Sequence, residues 1–170
     1  MVERNGQEDD RKGQGMKKIA VYVDVQKDFI GGALRNEKAI ELTPKIVEFA
    51  KVLKSRGYRA YLTQDTHERT SYAEDGKTPI AGYLATLEGK KLPVQHCVYG
   101  TDGWQIDPDL LEVFDALPNL DGDRKYDCKT VEKPTFGSFK LADEIEKDSR
   151  GEGVEIVMGG FVTSICLLSN

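Results

Sequence analysis

Lys17-Lys18-Ile19-Ala20-Val21-Tyr22-Val23-Asp24 is a short apolar, β-branched run held between charges, the pattern of a buried strand. Working outward past Gly31-Gly32, residues Ile40, Ile46, Val47, Ala50, Val52 and Leu53 recur at near-helical spacing, with Gly57 as the stop. Tyr58-Arg59-Ala60-Tyr61-Leu62-Thr63 is strand-like again. Strand, helix and strand over about thirty residues make a βαβ unit, which favours a parallel sheet with a right-handed crossover. The fold expected from these residues is therefore an α/β domain.

From Gln64 to Leu110 the pattern lapses into Gly, Pro, Thr and charge, with Gly76, Pro79, Gly82, Gly89, Pro93, Gly100, Gly103 and Pro108 breaking any long element. So long an irregular stretch in a compact domain is usually functional. A strand is expected at Lys125 to Val131. A helix follows from about Ser138 to Ser149, turning Phe139, Leu141, Ala142 and Ile145 to the core. Val154 to Gly160 reads as another buried strand, after which Thr163 or Ser164 caps a helix starting near Cys166. Residues Met1 to Met16 are nearly devoid of apolar side chains and read as a disordered leader.

Composition narrows the function. At roughly 150 residues per domain, 170 residues make one domain. With 24 basic against 29 acidic residues the net charge is -5, which offers no electrostatic reason to bind nucleic acid or an anionic membrane. The apolar runs fall far short of the ~20 residues of a membrane helix, and the N-terminus lacks the apolar core of a secretion signal, so a cytoplasmic location is expected. Three cysteines without paired spacing do not make a disulfide framework. The sequence contains no GxxxxGK[ST], no GxGxxG after the first strand and no GxSxG.

Open α/β sheets place ligands at the C-terminal ends of their strands. Asp24, Asp65, Lys133 and Cys166 all fall at such ends. Taken singly, each has a plain alternative: a capping aspartate, a solvated lysine, a cysteine filling space in the core. The chain has two histidines, His67 in Asp65-Thr66-His67 and His96 in Gln95-His96-Cys97, both in the irregular stretch. On an extended segment Asp65 and His67 point to the same side, so with His96 they could hold one divalent ion, and Glu88 is a further oxygen ligand to consider. Two unconnected loop histidines are the alternative.

Together the residues resemble a known family. Val23-Asp24-Val25-Gln26-Lys27-Asp28-Phe29, Asp65-Thr66-His67, His96-Cys97-Val98, Lys133 before Pro134-Thr135-Phe136-Gly137-Ser138, and Gly160-Phe161-Val162-Thr163-Ser164-Ile165-Cys166 look like the nicotinamidase and isochorismatase-like cysteine hydrolases, nearest the nicotinamidase branch. The resemblance runs from residue 17 to the end and implies a three-layer α/β/α fold with a mainly parallel sheet. It implies a catalytic trio of Asp24, Lys133 and Cys166, in which a thiolate attacks an amide carbonyl, ammonia leaves and water hydrolyses the thioester. Backbone N–H groups of Val162 and Cys166 would hold the oxyanion, the Phe161–Val162 peptide would be cis, and Phe29 would wall a substrate pocket. The metal of the nicotinamidase branch maps onto Asp65, His67 and His96, with Glu88 as a fourth ligand; zinc is expected, with manganese or iron as alternatives. The implied partner is a small amide, and a homo-oligomer is left open. Thr66 and Leu92-Pro93-Val94 stand where many nicotinamidases carry aromatic residues, and Ser71 to Gly82 looks inserted. Other readings are a metal-free isochorismatase-like or carbamoyl hydrolase, and a non-catalytic small-molecule-binding fragment of this fold.

The resemblance makes residues 17–170 one hydrolase domain. Only Leu167, Leu168, Ser169 and Asn170 remain to build the helix behind Cys166. Helix nucleation is costly, so a single isolated turn is unstable. The expectation is of a domain lacking its last elements at the C-terminus.

Overall fold

A computed structural model describes residues 16–115, 128–161 and 166. In chain order its elements are β1 (Lys17–Val23), α1 (Lys27–Ile30), α2 (Glu37–Ser55), β2 (Arg59–Asp65), a hairpin of β3 (Ser71–Tyr72) and β4 (Pro79–Ala81), α3 (Leu87–Lys91), α4 (Pro108–Val113), β5 (Cys128–Lys133), α5 (Phe139–Ser149) and β6 (Val154–Gly160). The strands β5-β2-β1-β6 form one sheet, parallel at every pairing. Val21 stands opposite Tyr61 on one side and Met158 on the other.

Alternation along β1 and β2 separates two cores. Ala20, Tyr22, Ala60 and Leu62 face one way and meet Ala39, Val47, Ala50 and Leu53 of α2 with Leu110 and Leu111 of α4. Ile19, Val21, Val23, Tyr61 and, from β5, Val131 face the other way and meet Leu141 of α5 together with Cys166. Each buried Val, Leu or Ile contributes about 1.5–3 kcal/mol of transfer free energy. Three layers, α/β/α, result. The layering brings Cys166 to the α5 side of the sheet.

Several elements differ from the sequence reading for identifiable reasons. Helix α2 starts at Glu37, earlier than Ile40, because the Asn36 side chain accepts from the Lys38 N–H at 2.9 Å and caps it. The irregular stretch contains α4, whose Asp107 cap and Pro108 at its first turn were a legible start signal, and α3, capped by Thr86. Ser71 to Gly82, the inserted segment, forms the β3–β4 hairpin. The expected core face of α5 is partly wrong. Leu141 and Ser149 are buried with Ile145 partly so between them, a stripe spaced by four, whereas Phe139 is 93% exposed. Phe139 stands two residues from Leu141, on the opposite side of the helix. Strand β6 was read as buried, yet Ile156 and Met158 are 46% and 37% exposed, because it is the edge strand of the described sheet. Strand β5 begins at Cys128 and reaches Lys133, two residues beyond the expected end, so that Lys133 closes it.

The leader up to Gly15, the first part of the expected Lys125–Val131 strand, Val162 with its peptide bond to Phe161, and the segment that would form a helix around Cys166 lie outside the described residues.

Candidate active site

The strand ends converge. Asp24 follows β1, Asp65 closes the adjacent β2, Lys133 closes β5 next to that, and Cys166 comes after β6 on the other side of β1. Parallel pairing in register carries all four to one rim, with Asp65 opposite Lys133 and Val23 opposite Gly160.

Asp24 leaves the sheet in a left-handed conformation, φ 53°, which a short polar side chain tolerates better than a branched one. Thr63 of β2 fixes it twice: its hydroxyl accepts from the Asp24 N–H at 3.1 Å and donates to Asp24 Oδ1 at 2.7 Å. Asp24 Oδ2 faces the Lys133 ammonium at 2.8 Å. Lys133 also donates to the Thr135 carbonyl at 3.1 Å and lies 3.6 Å from Asp65 Oδ1. Both side chains of the Asp24–Lys133 pair are 0% exposed. Gly160 lets β6 lie against this corner: at φ 144°, a Cβ there would sit 2.1 Å from the Val23 carbonyl oxygen.

One cation serving two carboxylates and a thiol sets the electrostatics. Burial opposes the charge on Lys133, but Asp24, Asp65 and Cys166 outweigh it and its pKa is raised. Burial, helped by the Asp65 charge, raises the Asp24 carboxyl against the pull of Lys133 and Thr63. The Cys166 thiol is raised by burial and by the Asp24 carboxylate, to which it is hydrogen-bonded, with Lys133 counteracting. Burial thus keeps the Cys166 thiol protonated and hydrogen-bonded to Asp24.

Next to this trio stand Asp65, His67 and His96, buried, with ligand atoms within 4.8 Å of one another. Asp65 Oδ2 is 3.0 Å from His67 Nε2 and 3.3 Å from His96 Nε2. His96 Nδ1 is 2.8 Å from the Val94 carbonyl oxygen, a contact that orients the ring and turns Nε2 toward Asp65. Burial would raise Asp65, but hydrogen bonds to both histidines and the Lys133 charge hold its carboxyl well below the usual range. Glu88 is close, its Oε1 3.9 Å from His67 Nε2, and this buried oxygen has no hydrogen-bond partner among the described residues. Two imidazoles, a carboxylate and an orphaned carboxylate oxygen suit a divalent ion such as zinc, manganese or iron. The group therefore fits a metal. Tyr83 packs against both imidazoles, its ring centroid 4.4 Å from His67 and 4.9 Å from His96, and walls the cluster from solvent.

A cavity of about 100 Å³ joins the two groups, lined by Cys166, Asp65, His96 and Glu88 and walled by Phe29, Phe136 and Phe161 among others. Phe29, expected as a pocket wall, is there, with its ring 5.6 Å from that of His96. A larger groove of about 420 Å³ between α2 and α4 is lined by Glu48, Lys51, Asp109 and Glu112 and lies away from the trio. Thr63, Tyr83, Phe136 and Phe161 were not singled out as site residues. Thr63 carried no signal beyond strand alternation, whereas Phe136 and Phe161 are themselves among the motif residues quoted, which was a signal for them.

The same fold occurs in solved structures. The chain is 20% identical to nicotinamidase/pyrazinamidase of Bacillus subtilis, covering 90% of this chain and 75% of that one, with a TM-score of 0.67. N-carbamoylsarcosine amidase of Thermoplasma acidophilum is 16% identical, with 91% and 73% covered and a TM-score of 0.63. Pyrazinamidase of Pyrococcus horikoshii, solved in complex with zinc, is 22% identical, with 88% and 73% covered and a TM-score of 0.54. Identities this low speak to fold alone. No curated protein sequence matches the chain. No described helix is long and apolar enough to cross a membrane. The isochorismatase domain family, however, matches residues 18–170, nearly the whole length, and the chain belongs to it.

Proposed function

We propose that the chain is a metal-assisted cysteine amidohydrolase that releases ammonia from nicotinamide or a similar small amide. The observation that carries this reading is the small cavity shared by Cys166, Asp65, His96 and Glu88, with the buried Asp24–Lys133 pair behind it.

In this reading Cys166 is the nucleophile. A small amide enters between Phe29, Phe136 and Phe161, whose rings favour a flat, largely apolar substrate and exclude water. As the Cys166 sulfur attacks the carbonyl carbon, its proton passes to Asp24 and Lys133 balances the charge at sulfur. Asp24 then gives that proton to the departing nitrogen, ammonia leaves and a thioester remains on Cys166. Water, deprotonated by Asp24, attacks the thioester; the acid departs and the thiol is restored. Backbone N–H groups of Val162 and Cys166 are the proposed oxyanion donors, each typically worth about 3 kcal/mol in such sites. Asp65, His67 and His96, with Glu88 as fourth ligand, would hold a divalent ion, zinc by preference, which when bound supplies a Lewis-acid contact for a substrate heteroatom or its water. The zinc in the Pyrococcus horikoshii pyrazinamidase structure supports that preference.

The metal-free alternative is less favoured, because it leaves the buried Glu88 Oε1 and the Asp65–His67–His96 group without a task. The deciding experiment measures ammonia release across a panel of small aromatic and aliphatic amides, with and without chelator. Release from at least one amide, lost in Cys166→Ala and reduced by chelation, is the expected result. Full activity in Cys166→Ala would overturn the nucleophile assignment, and chelator-insensitive turnover of a metal-free protein would overturn the metal.

A further inference from the structure

The turn after β1 contributes Asp24 to the trio and Phe29 to the cavity, but its two other buried polar side chains, Gln26 and Asp28, do not line that cavity. Gln26 is 0% exposed and spends its amide on the Asp65 peptide: Nε2 donates to the Asp65 carbonyl at 2.9 Å, and Oε1 accepts from the Asp65 N–H at 2.8 Å. Nε2 donates also to the Trp104 carbonyl at 2.8 Å. Both backbone groups of Asp65 are thereby fixed by one side chain from the neighbouring strand end.

Asp28 does the same for the other loop. Its Oδ2 accepts from the Cys97 N–H at 2.7 Å and its Oδ1 from the Ala33 N–H at 3.0 Å. Cys97 follows His96 directly and has φ 44°, a left-handed conformation that a residue with a Cβ holds only when its surroundings fix it. The Cys97 carbonyl in turn accepts from the His67 N–H at 2.9 Å. One residue, Cys97, thus ties Asp28 to the backbone of both histidines. Gly103 makes room for this: a Cβ there would lie 2.2 Å from Asp28 Oδ1.

We propose that Gln26 and Asp28 are positioning residues that preorganise Asp65, His67 and His96 for a metal ion, one through the Asp65 peptide and the other through the Cys97 peptide. The inference rests on the metal-assisted reading above. Preorganised ligands bind tightly because the cost of ordering them is met in folding, and loss of such outer support typically weakens metal binding 10–100-fold.

The test is titration of the metal-free protein with zinc alone, in competition with a chromophoric chelator, alongside thermal melting. Gln26→Met should weaken zinc binding by about tenfold or more. Gln64→Met is the matched control, because the buried Gln64 amide donates to the same Trp104 carbonyl at 2.8 Å and makes no hydrogen bond to Asp65. It should lower the melting temperature comparably and change zinc affinity by no more than about threefold, well inside the effect expected of outer support. Asp28→Asn, which keeps one acceptor oxygen, should weaken zinc binding less than Asp28→Ala. If Gln26→Met does not fold, Gln26→Glu carries the same test, since it keeps an acceptor for the Asp65 N–H but sets a carboxylate oxygen against two carbonyls. Wild-type zinc affinity in the Gln26 variant, or an equal loss in Gln64→Met, overturns the inference. A wild-type chain with no zinc affinity sinks it together with the metal reading. Affinities that fall as expected in a protein that releases no ammonia leave it standing and sink the amidase reading alone.

Discussion

Lys133 Nζ lies 2.8 Å from Asp24 Oδ2 with both side chains wholly buried, and the same ammonium is 3.6 Å from Asp65 Oδ1. The lysine therefore joins the cysteine side of the cavity to the histidine side. A buried charge that loses its partner is far more costly than the pair was valuable.

Lys133→Met should accordingly destabilise the fold by about 3–5 kcal/mol, because two buried carboxylates are left without a cation. The companion variant Lys133→Met with Asp24→Asn should recover a large part of that stability while remaining inactive. Since pairing raises the Lys133 pKa above its ordinary 10.5, the stabilisation is present in full below that value and is lost only as pH rises through the higher folded-state pKa. Urea melts of the single and double variants at neutral pH check this. Equal stability of wild type and Lys133→Met would show that the pair is not closed in solution.

The pH profile of amide hydrolysis follows from the carboxylate. In the proposed mechanism the reactive form has Asp24 ionised, and burial raises its pKa above the ordinary 3.8. As pH falls through that raised value Asp24 becomes protonated and cannot take the thiol proton, so kcat/KM declines at a higher pH than an unperturbed aspartate would give. On the alkaline side Lys133 and Cys166 are both raised, so no decline is expected while Lys133 keeps its proton. An acid limb at or below the ordinary aspartate value would remove Asp24 from the role of base.

Glu88 offers a test with opposite signs in two measurements. Burial raises its carboxyl pKa, and Oε1 is without a hydrogen-bond partner among the described residues. Glu88→Gln removes a buried charge, so the metal-free protein should melt at the same or a higher temperature, while zinc affinity should fall. His67→Ala should weaken zinc binding more than Glu88→Gln does, because it deletes a nitrogen ligand outright. If Glu88→Gln leaves zinc affinity untouched, the fourth ligand is water or substrate.

What the sequence disclosed depended on the distance over which each cause acts. The β1–α2–β2 unit was legible because period and punctuation are local, and so was the ordered set of motif residues, of which Asp24, Asp65 and Lys133 stand at strand ends. Local signals also existed for α4 in Asp107 and Pro108, yet the seven other glycines and prolines from Gly76 to Gly103 hid them. Phe139 was misplaced for another reason: apolar content was counted where angle around the helix decides, and Leu141 with Ile145 already defined the buried stripe. Thr63, Gln26 and Asp28 were beyond reach as partners. Their roles rest on contacts across 39 to 69 residues of chain, which only the sheet and the turn after β1 bring together.

Strand β6 presses on β1 at Gly160. Gly160 has φ 144°, and a Cβ built on it would lie 2.1 Å from the oxygen and 2.6 Å from the nitrogen of Val23, the residue immediately before Asp24. Neither atom belongs to a flexible side chain, so the overlap can be relieved only by moving backbone. The Phe161 N–H donates to that same Val23 carbonyl at 3.0 Å, and Gly160 pairs with Val23 in the sheet register. Gly160→Ala should therefore cost about 3 kcal/mol through overpacking and strain, and shift Asp24 relative to Cys166. Amide hydrolysis should fall more steeply than stability, because proton transfer between thiol and carboxylate depends on their separation. Zinc affinity should change little, since Asp65, His67 and His96 are held from β2 and the Gln26 and Asp28 contacts. Melting temperature, kcat and zinc titration of the one variant check all three parts. A Gly160→Ala protein with wild-type melting and turnover would mean that β6 does not approach Val23 as closely as its register requires.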